Sequence, residues 1–248
     1  MLLHETMRSR GEALFRRRSF VLLAFLPLIG WALTAGEPVE RLLGEAWGGI
    51  YETACVIMIL AGLVLRAFTV GFVPRKTSGR NTAGQVAEAL NTTGIYSLTR
   101  NPLYVANSLT YLGVVLAAQN IVLALAFVLF LALYYERIIL AEEAFLLEKF
   151  GDAYRRWAAE VPAFVPRLTG WTSPALPFSL RSVFRREPPS WLGAAAAFAA
   201  IDFAGDLFTG EAWHVEASWA LPLVLAIGAA AARIGLERWT RLLRAPGR

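Results

Sequence analysis

Charge is scarce in this sequence. Asp, Glu, Lys and Arg make up 17% of the 248 residues, against roughly 25% in an ordinary soluble domain. Hydrophobic residues reach 56%, so the composition points to a bilayer rather than to an aqueous globule. Cysteine is nearly absent: Cys55 stands alone, which excludes an intramolecular disulfide and leaves the redox compartment open. The two histidines, His4 and His214, are far apart, and no HExxH or CxxC spacing occurs; this argues against any metal site. A GxGxxG run is missing too, so no Rossmann-type nucleotide site is expected. The length suits one compact unit rather than several domains.

What the chain does have is long apolar runs. Segments near 19–35, 48–70, 103–118, 121–140, 191–208 and 217–235 read as six membrane spans, each approaching the roughly 20 residues of helix that a bilayer requires. The third is short and only "AQN" separates it from the fourth, which predicts a tight helical hairpin. The stretch "RRRSFVLLAFLPLIGWALTAG" also resembles a signal peptide; its long charged leader favours a retained first span.

The basic residues test this count. With six spans and a cytoplasmic N-terminus, 23 of the 24 Lys and Arg fall on the cytoplasmic side, and only Arg41 falls outside. That satisfies the positive-inside rule, and losing or adding one span would break the alternation. The formal charge of +5 is thereby explained by topology and anionic headgroups rather than by nucleic acid.

Two polar segments are too long to be mere connectors. The first, 71–100, is rich in Gly, Asn, Thr and Ser and predicts ordered turns. The second, 141–189, begins as a continuation of the fourth span, "YYERIILAEEAFLLEKFG", which stops at Gly151, a favoured residue just past a helix end. Asp152 then caps "AYRRWAAEV", where Tyr154, Trp157, Ala158 and Val161 share one face and Arg155, Arg156 and Glu160 the other. This predicts an interfacial amphipathic helix. Pro162 and Pro166 end it, and "GWTSPALPF" should be irregular.

Four groups of residues are candidates for chemistry. In "GIYSLTRNPLY", Pro102 suits a first helical turn; the helix start with Arg100 supports two readings, a site for an anionic group or a plain cap with a snorkelling arginine. Glu136, Glu142 and Glu143 lie near the bilayer boundary, where carboxylates are functional or paired; Glu142 and Glu143 read as functional, and Glu148 as paired. Asp202 and Asp206 share a face near the outer end of the fifth span and read as hydrated. Asn107 and Glu52 are single polar groups in apolar helices, for which helix-to-helix hydrogen bonding is the ordinary explanation.

"TTGIYSLTRNPLY", the helical hairpin, and "ERIILAEEAFLLEKFGDAYRRWAAEVPAFVPR" with its closing prolines together resemble the integral-membrane methyltransferases of the isoprenylcysteine carboxyl methyltransferase and phospholipid N-methyltransferase superfamily. The resemblance covers about residues 90–167, and Asn101 stands where the family more often has histidine. It implies S-adenosylmethionine as methyl donor, bound on the cytoplasmic face, and a membrane lipid or lipidated acceptor entering from the bilayer. Carried over by position, the cofactor pocket would involve Gly94, Tyr96, Arg100, Asn101, Pro102, Tyr104, Glu142 and Glu143. Arg100, Glu143, Tyr154 and Arg167 would serve the transfer itself.

The expected protein is therefore an all-α integral membrane methyltransferase with about six spans and both termini cytoplasmic, in a bacterial inner membrane. Its parts would be two N-terminal spans (1–70), a methyltransferase core (71–167), an irregular cytoplasmic connector (168–189), and two C-terminal spans with a basic tail (190–248). The acceptor stays open between a carboxylate, an amine and a phosphate; cytoplasmic arginines such as Arg100, Arg155 or Arg167 tilt it toward an anion. The competing classes are a small membrane carrier and a non-catalytic scaffold. The charge pattern also makes a direct prediction: a reporter fused after Arg248 should be active in the format that reads the cytoplasm. Activity in the format that reads the opposite face would overturn the topology.

Overall fold

The computed structural model describes residues 3–36, 38–74, 85–210 and 217–243, all helical or irregular apart from one isolated bridge between Gly94 and Thr172. Residues 75–84 of the first polar segment, with Arg75, Lys76 and Arg80, lie outside the described residues, as do His214, Arg244 and Arg248.

Among the described residues, ten α-helices follow one another. α1 (Leu3–Val21) and α2 (Leu26–Leu33) are joined by a single 3-10 turn over Leu22–Phe25. Pro27 sits in the first turn of α2, where its missing N–H breaks the ladder; the expected first span is thus bent rather than straight, and α1 extends it through a polar leader. α3 (Pro38–Leu43) is short, and α4 (Glu45–Phe72) is a long apolar helix. α5 (Pro102–Leu116) starts on Pro102 and leads directly into α6 (Ile121–Phe150), whose Asn120 side chain caps it by accepting from the Leu123 N–H at 3.0 Å. Gly151, at φ 53°, ends α6 and allows α7 (Asp152–Glu160) to begin at once. α8 (Leu180–Arg186), α9 (Pro188–Thr209) and α10 (Ala217–Trp239) complete the chain.

Among the described residues, five stretches are long and apolar enough to cross a membrane: Leu22–Leu43, Glu45–Phe72, Ile121–Phe150, Pro188–Phe208 and Ser218–Trp239. The remaining expected span is α5, apolar but only 15 residues long. Residues 168–189 are not irregular throughout. Ser179 accepts from the Ser182 N–H at 3.2 Å and so starts α8, a cap that a reading by prolines passes over.

α4 and α5 form the tightest pair, and small residues make it so. A Cβ on Gly62 would lie 2.3 Å from Thr110 Oγ1 and 2.5 Å from the Ala106 carbonyl; one on Gly113 would lie 2.7 Å from Ile59. α1 lies along the C-terminal half of α6, and α9 and α10 form a second pair, of which α9 meets α2, α4 and α5. The main core joins Phe25, Phe127, Leu131, Tyr134 and Ile138 with Val115 of α5; Phe25 meets Phe127 edge-on at 4.9 Å.

One ion pair ties the two halves together. Arg66, near the end of α4, donates from Nε to Glu187 Oε2 at 2.8 Å and from a terminal nitrogen to Oε1 at 3.3 Å. Its other terminal nitrogen donates to Asn107 on α5. Arg66 and Glu187 are 12% and 2% exposed. Glu187 is the residue between α8 and α9, so the pair fixes that junction against α4 and α5. Asn107 thereby makes the expected helix-to-helix bond.

Two stability predictions follow from these contacts. Gly62→Val should cost about 1–3 kcal/mol by overpacking the α4–α5 contact, read as a lower melting temperature in detergent. Glu187→Gln should cost about 3–5 kcal/mol, because it strands the Arg66 charge in a desolvated site; unchanged melting would refute the clamp.

Candidate functional site

A cavity of about 1180 Å³ runs between α1, α4, α5, α6 and the α8–α9 junction. Its size lies just above the roughly 300–1,000 Å³ of a typical small-molecule site. One flank carries Tyr96, Arg100, Asn101, Pro102, Tyr104 and Glu142, which are six of the eight residues expected in a cofactor pocket. Leu22, Leu26 and Ile29 of the bent N-terminal helix, with Leu63 and Val114, give it a deep apolar lining. A polar pocket thus opens onto a greasy one.

The turn before α5 is held from the far side. The Arg100 backbone N–H donates to the Pro162 carbonyl at 2.9 Å. Its guanidinium donates to the carbonyls of Ala158 and Val161 at 2.6 and 3.0 Å and pairs with Glu143. Within this guanidinium, Nε is buried without a partner. Arg100 therefore absorbs the carbonyls at the end of α7, which would otherwise be orphaned. Asn101 does not cap α5 with its side chain; its amide nitrogen donates to the Ala163 carbonyl at 2.8 Å. The Asn101 carbonyl accepts from the Tyr104 and Val105 N–H groups, so those donors are not directed into the cavity. Thr99 adds a bond from Oγ1 to the Phe164 carbonyl at 2.9 Å. The four successive carbonyls from Val161 to Phe164 are all pinned in this way.

The two adjacent glutamates part company. Glu142 faces the cavity and accepts from the Tyr104 hydroxyl at 2.9 Å. Glu143, about 100° further round the helix, faces α7, where it meets Arg100 and the Tyr154 side chain. Burial first, and then the Glu143 charge, push the Tyr154 phenol well above its ordinary value. It stays a neutral donor at any working pH. α7 has the expected amphipathic faces: Tyr154 and Val161 are buried while Arg155, Arg156 and Glu160 are exposed.

From Glu142 a polar chain crosses the cavity wall. Tyr104 stacks on Tyr135 with ring centres 4.8 Å apart, Tyr135 shares a hydrogen bond with Asn107, and Asn107 accepts from Arg66 of the buried clamp. Arg18, at the end of α1, lines the same space near Glu142 and Tyr104.

Other expected residues sit behind the site. Gly94, at φ 61°, donates to the Thr172 carbonyl at 2.8 Å, and a Cβ there would also meet Pro174 at 3.2 Å. Arg167 spends its guanidinium on the carbonyls of Ser97, Glu160 and Gly170. Neither belongs to the cavity lining, nor do Glu143 and Tyr154. Glu136 pairs with Arg137 and is solvent-exposed, and Glu148 lies 3.7 Å from Arg8 of α1. Asp202 and Asp206 lie on α9 away from the cavity, and each takes part in local polar contacts. Arg66 and Glu187 line the cavity and were not singled out by sequence reasoning. An arginine inside the last two turns of an apolar helix was the available signal, since such a charge must find a partner.

The phospholipid methyltransferase family matches residues 50–153. The chain is 30% identical over 156 residues to the nickel-cobalt-cadmium resistance protein NccN of Alcaligenes xylosoxydans xylosoxydans, covering 56% of this chain and 73% of that one. It is 32% identical over 123 residues to the cobalt-zinc-cadmium resistance protein CzcN of Cupriavidus metallidurans, covering 50% and 55% respectively. It is also 30% identical over 123 residues to the protein-S-isoprenylcysteine O-methyltransferase of Schizosaccharomyces pombe, covering 47% and 50%. The chain thus spans only about half the length of these last two relatives. No solved structure matches significantly. The matched segment holds α4, the α5–α6 hairpin and the Glu142–Glu143 pair, and with its apolar helices the chain belongs to the integral-membrane superfamily of phospholipid and isoprenylcysteine carboxyl methyltransferases.

Proposed function

We propose that this protein is an S-adenosylmethionine-dependent methyltransferase that modifies a membrane lipid or lipidated acceptor at the cytoplasmic face of a bacterial inner membrane. The observation that carries the reading is the single cavity joining Glu142, Tyr104 and the 96–102 turn to an apolar space between helices. Family membership supports the reaction class.

The residues present fit the donor. Glu142 offers a carboxylate to an ammonium or to ribose hydroxyls, and it is oriented by Tyr104. The stacked Tyr104 and Tyr135 rings and the nearby Tyr96 offer aromatic surface, which suits adenine and a sulfonium cation alike. Arg100 leaves one buried, unpartnered nitrogen at the same wall. When bound, the donor supplies an electrophilic methyl group on a positively charged sulfur.

The chain's own residues then have to hold, align and dry the site, since such a displacement is accelerated mainly by orientation. Tyr96, Arg100, Asn101, Pro102, Tyr104 and Glu142 form the binding wall. Glu143 and Tyr154 position Arg100, and Arg167 and Gly94 position the loop behind it; these four are positioning residues. The apolar lining from α2 excludes water and admits the acceptor's chain.

Calorimetry with S-adenosylhomocysteine tests this directly. The wild type should bind, and Glu142→Gln or Tyr104→Phe should weaken binding by about 1.5–3 kcal/mol, the worth of a hydrogen bond to a charged group. Glu136→Gln should leave it unchanged. A wild type that binds no S-adenosylhomocysteine, and transfers no labelled methyl to total membrane lipid, would sink the assignment.

A further inference from the structure

The arginines that the sequence offers as anchors for an anionic acceptor are all engaged elsewhere. Arg100 and Arg167 are spent on backbone carbonyls, and Arg155 is exposed beside Asp152. A different set of guanidiniums lines the cavity: Arg185 and Arg186 in the last turn of α8, and Arg233 of α10, with Arg186 close enough to Tyr96 to feel its charge. None of them lies in the segment matched by the family.

From this placement we infer that Arg185, Arg186 and Arg233 form a headgroup site for a phosphate-bearing lipid, whose chain lies along the adjoining face of α9. The inference rests on the methyltransferase reading for its role, acceptor recognition, but not for its geometry.

Three observations carry it. First, the cations outnumber their local counter-charges. Arg66 is paired with Glu187, and Arg233 with Glu237 at 3.3 Å, so the excess lies with Arg185 and Arg186, two guanidiniums against the single further carboxylate of Glu88. Glu187 is fully engaged by Arg66, and Arg233 donates to the Arg185 carbonyl at 3.3 Å, which draws α10 onto α8. Second, Arg186 is held below arginine's ordinary value chiefly by burial, with Glu187 and Tyr96 opposing and Arg185 and Arg66 adding like charge. An anion would relieve both burdens, and paired guanidiniums match a phosphate's geometry better than point charges do.

Third, the cavity beside these cations has the shape of an amphiphile. Ser190, Gly193, Ala194 and Ala197 all line it, and their spacing places them on one face of α9. From Ser190 to Ala197 the face descends about 10 Å. A Cβ on Gly193 would meet nothing within 4 Å. Leu63 of α4 and Val114 of α5 face the same space. A charged mouth above a smooth apolar slot is the complement of a phosphate joined to a hydrocarbon chain.

Native mass spectrometry of the full-length protein in detergent, offered phosphatidic acid and phosphatidylcholine in equal amounts, reads this out. The wild type should retain phosphatidic acid in preference by about tenfold or more, the Arg185→Gln/Arg186→Gln double variant should lose that preference, and Arg185→Lys/Arg186→Lys should keep part of it. S-adenosylhomocysteine affinity of the glutamine variant should stay within about twofold of wild type. Added inorganic phosphate should not displace the lipid.

An undiminished preference in the glutamine variant would overturn the site. Full displacement by equimolar inorganic phosphate would make it a site for a free anion. A parallel loss of S-adenosylhomocysteine binding would assign the arginines to the donor's carboxylate instead. Lipid discrimination that follows the arginines in a protein that binds no S-adenosylhomocysteine would uphold this site and refute the methyltransferase reading; the reverse result would do the opposite.

Discussion

The buried polar contacts that join α4, α5 and the α8–α9 junction hang on the charge of Arg66 being neutralised inside the bundle. A guanidinium near the end of an apolar helix faces a large desolvation cost. Glu187 meets it with both oxygens and Asn107 with a third contact. Because these partners come from α5 and from the α8–α9 junction, neutralising the charge and assembling the fold are one event. The same clamp touches Tyr135 through Asn107, and Tyr135 backs the ring of Tyr104. Tyr104, Tyr135 and Asn107 thus connect Glu142 to the buried ion pair through four successive contacts.

The adjacent glutamates show how a helix divides labour. One step along α6 turns Glu143 away from Glu142 and toward α7, so one carboxylate serves the cavity while its neighbour holds Arg100 and Tyr154. Arg100 itself faces two ways. Most of its donors close the end of α7 and the rest of its surface meets the cavity. The loop bearing Pro162 and Pro166 is drawn over the α5 start by Arg100, Asn101 and Thr99, which explains how a proline-rich, irregular segment acquires a definite course.

Much of this was legible beforehand where local chemistry is decisive. Asn120 and Gly151 bound α6, Pro102 starts α5, and the inward face of α7 follows from the spacing of Tyr154, Trp157, Ala158 and Val161. Local chemistry does not specify distant partners. Nothing within "RREPPS" says that Glu187 reaches an arginine 121 residues earlier, and Arg66 reads as topological charge until its partner is seen. The same holds for Arg167, whose residue type suggests an anion and whose surroundings supply three carbonyls. The bend at Pro27 and the cap at Ser179 carried readable signals, but hydropathy outweighs them when spans are being counted.

Asn101 occupies the position where the family more often has histidine, and its side chain acts here only as a donor to the Ala163 carbonyl. An imidazole N–H is able to serve that same bond, but its charge changes near neutrality, whereas a carboxamide has no proton to gain or lose. With asparagine in place, the seam between the α5 start and the proline loop is indifferent to acidification. A fall in pH around this seam would leave that hydrogen bond, and the course of the loop it holds, as they were.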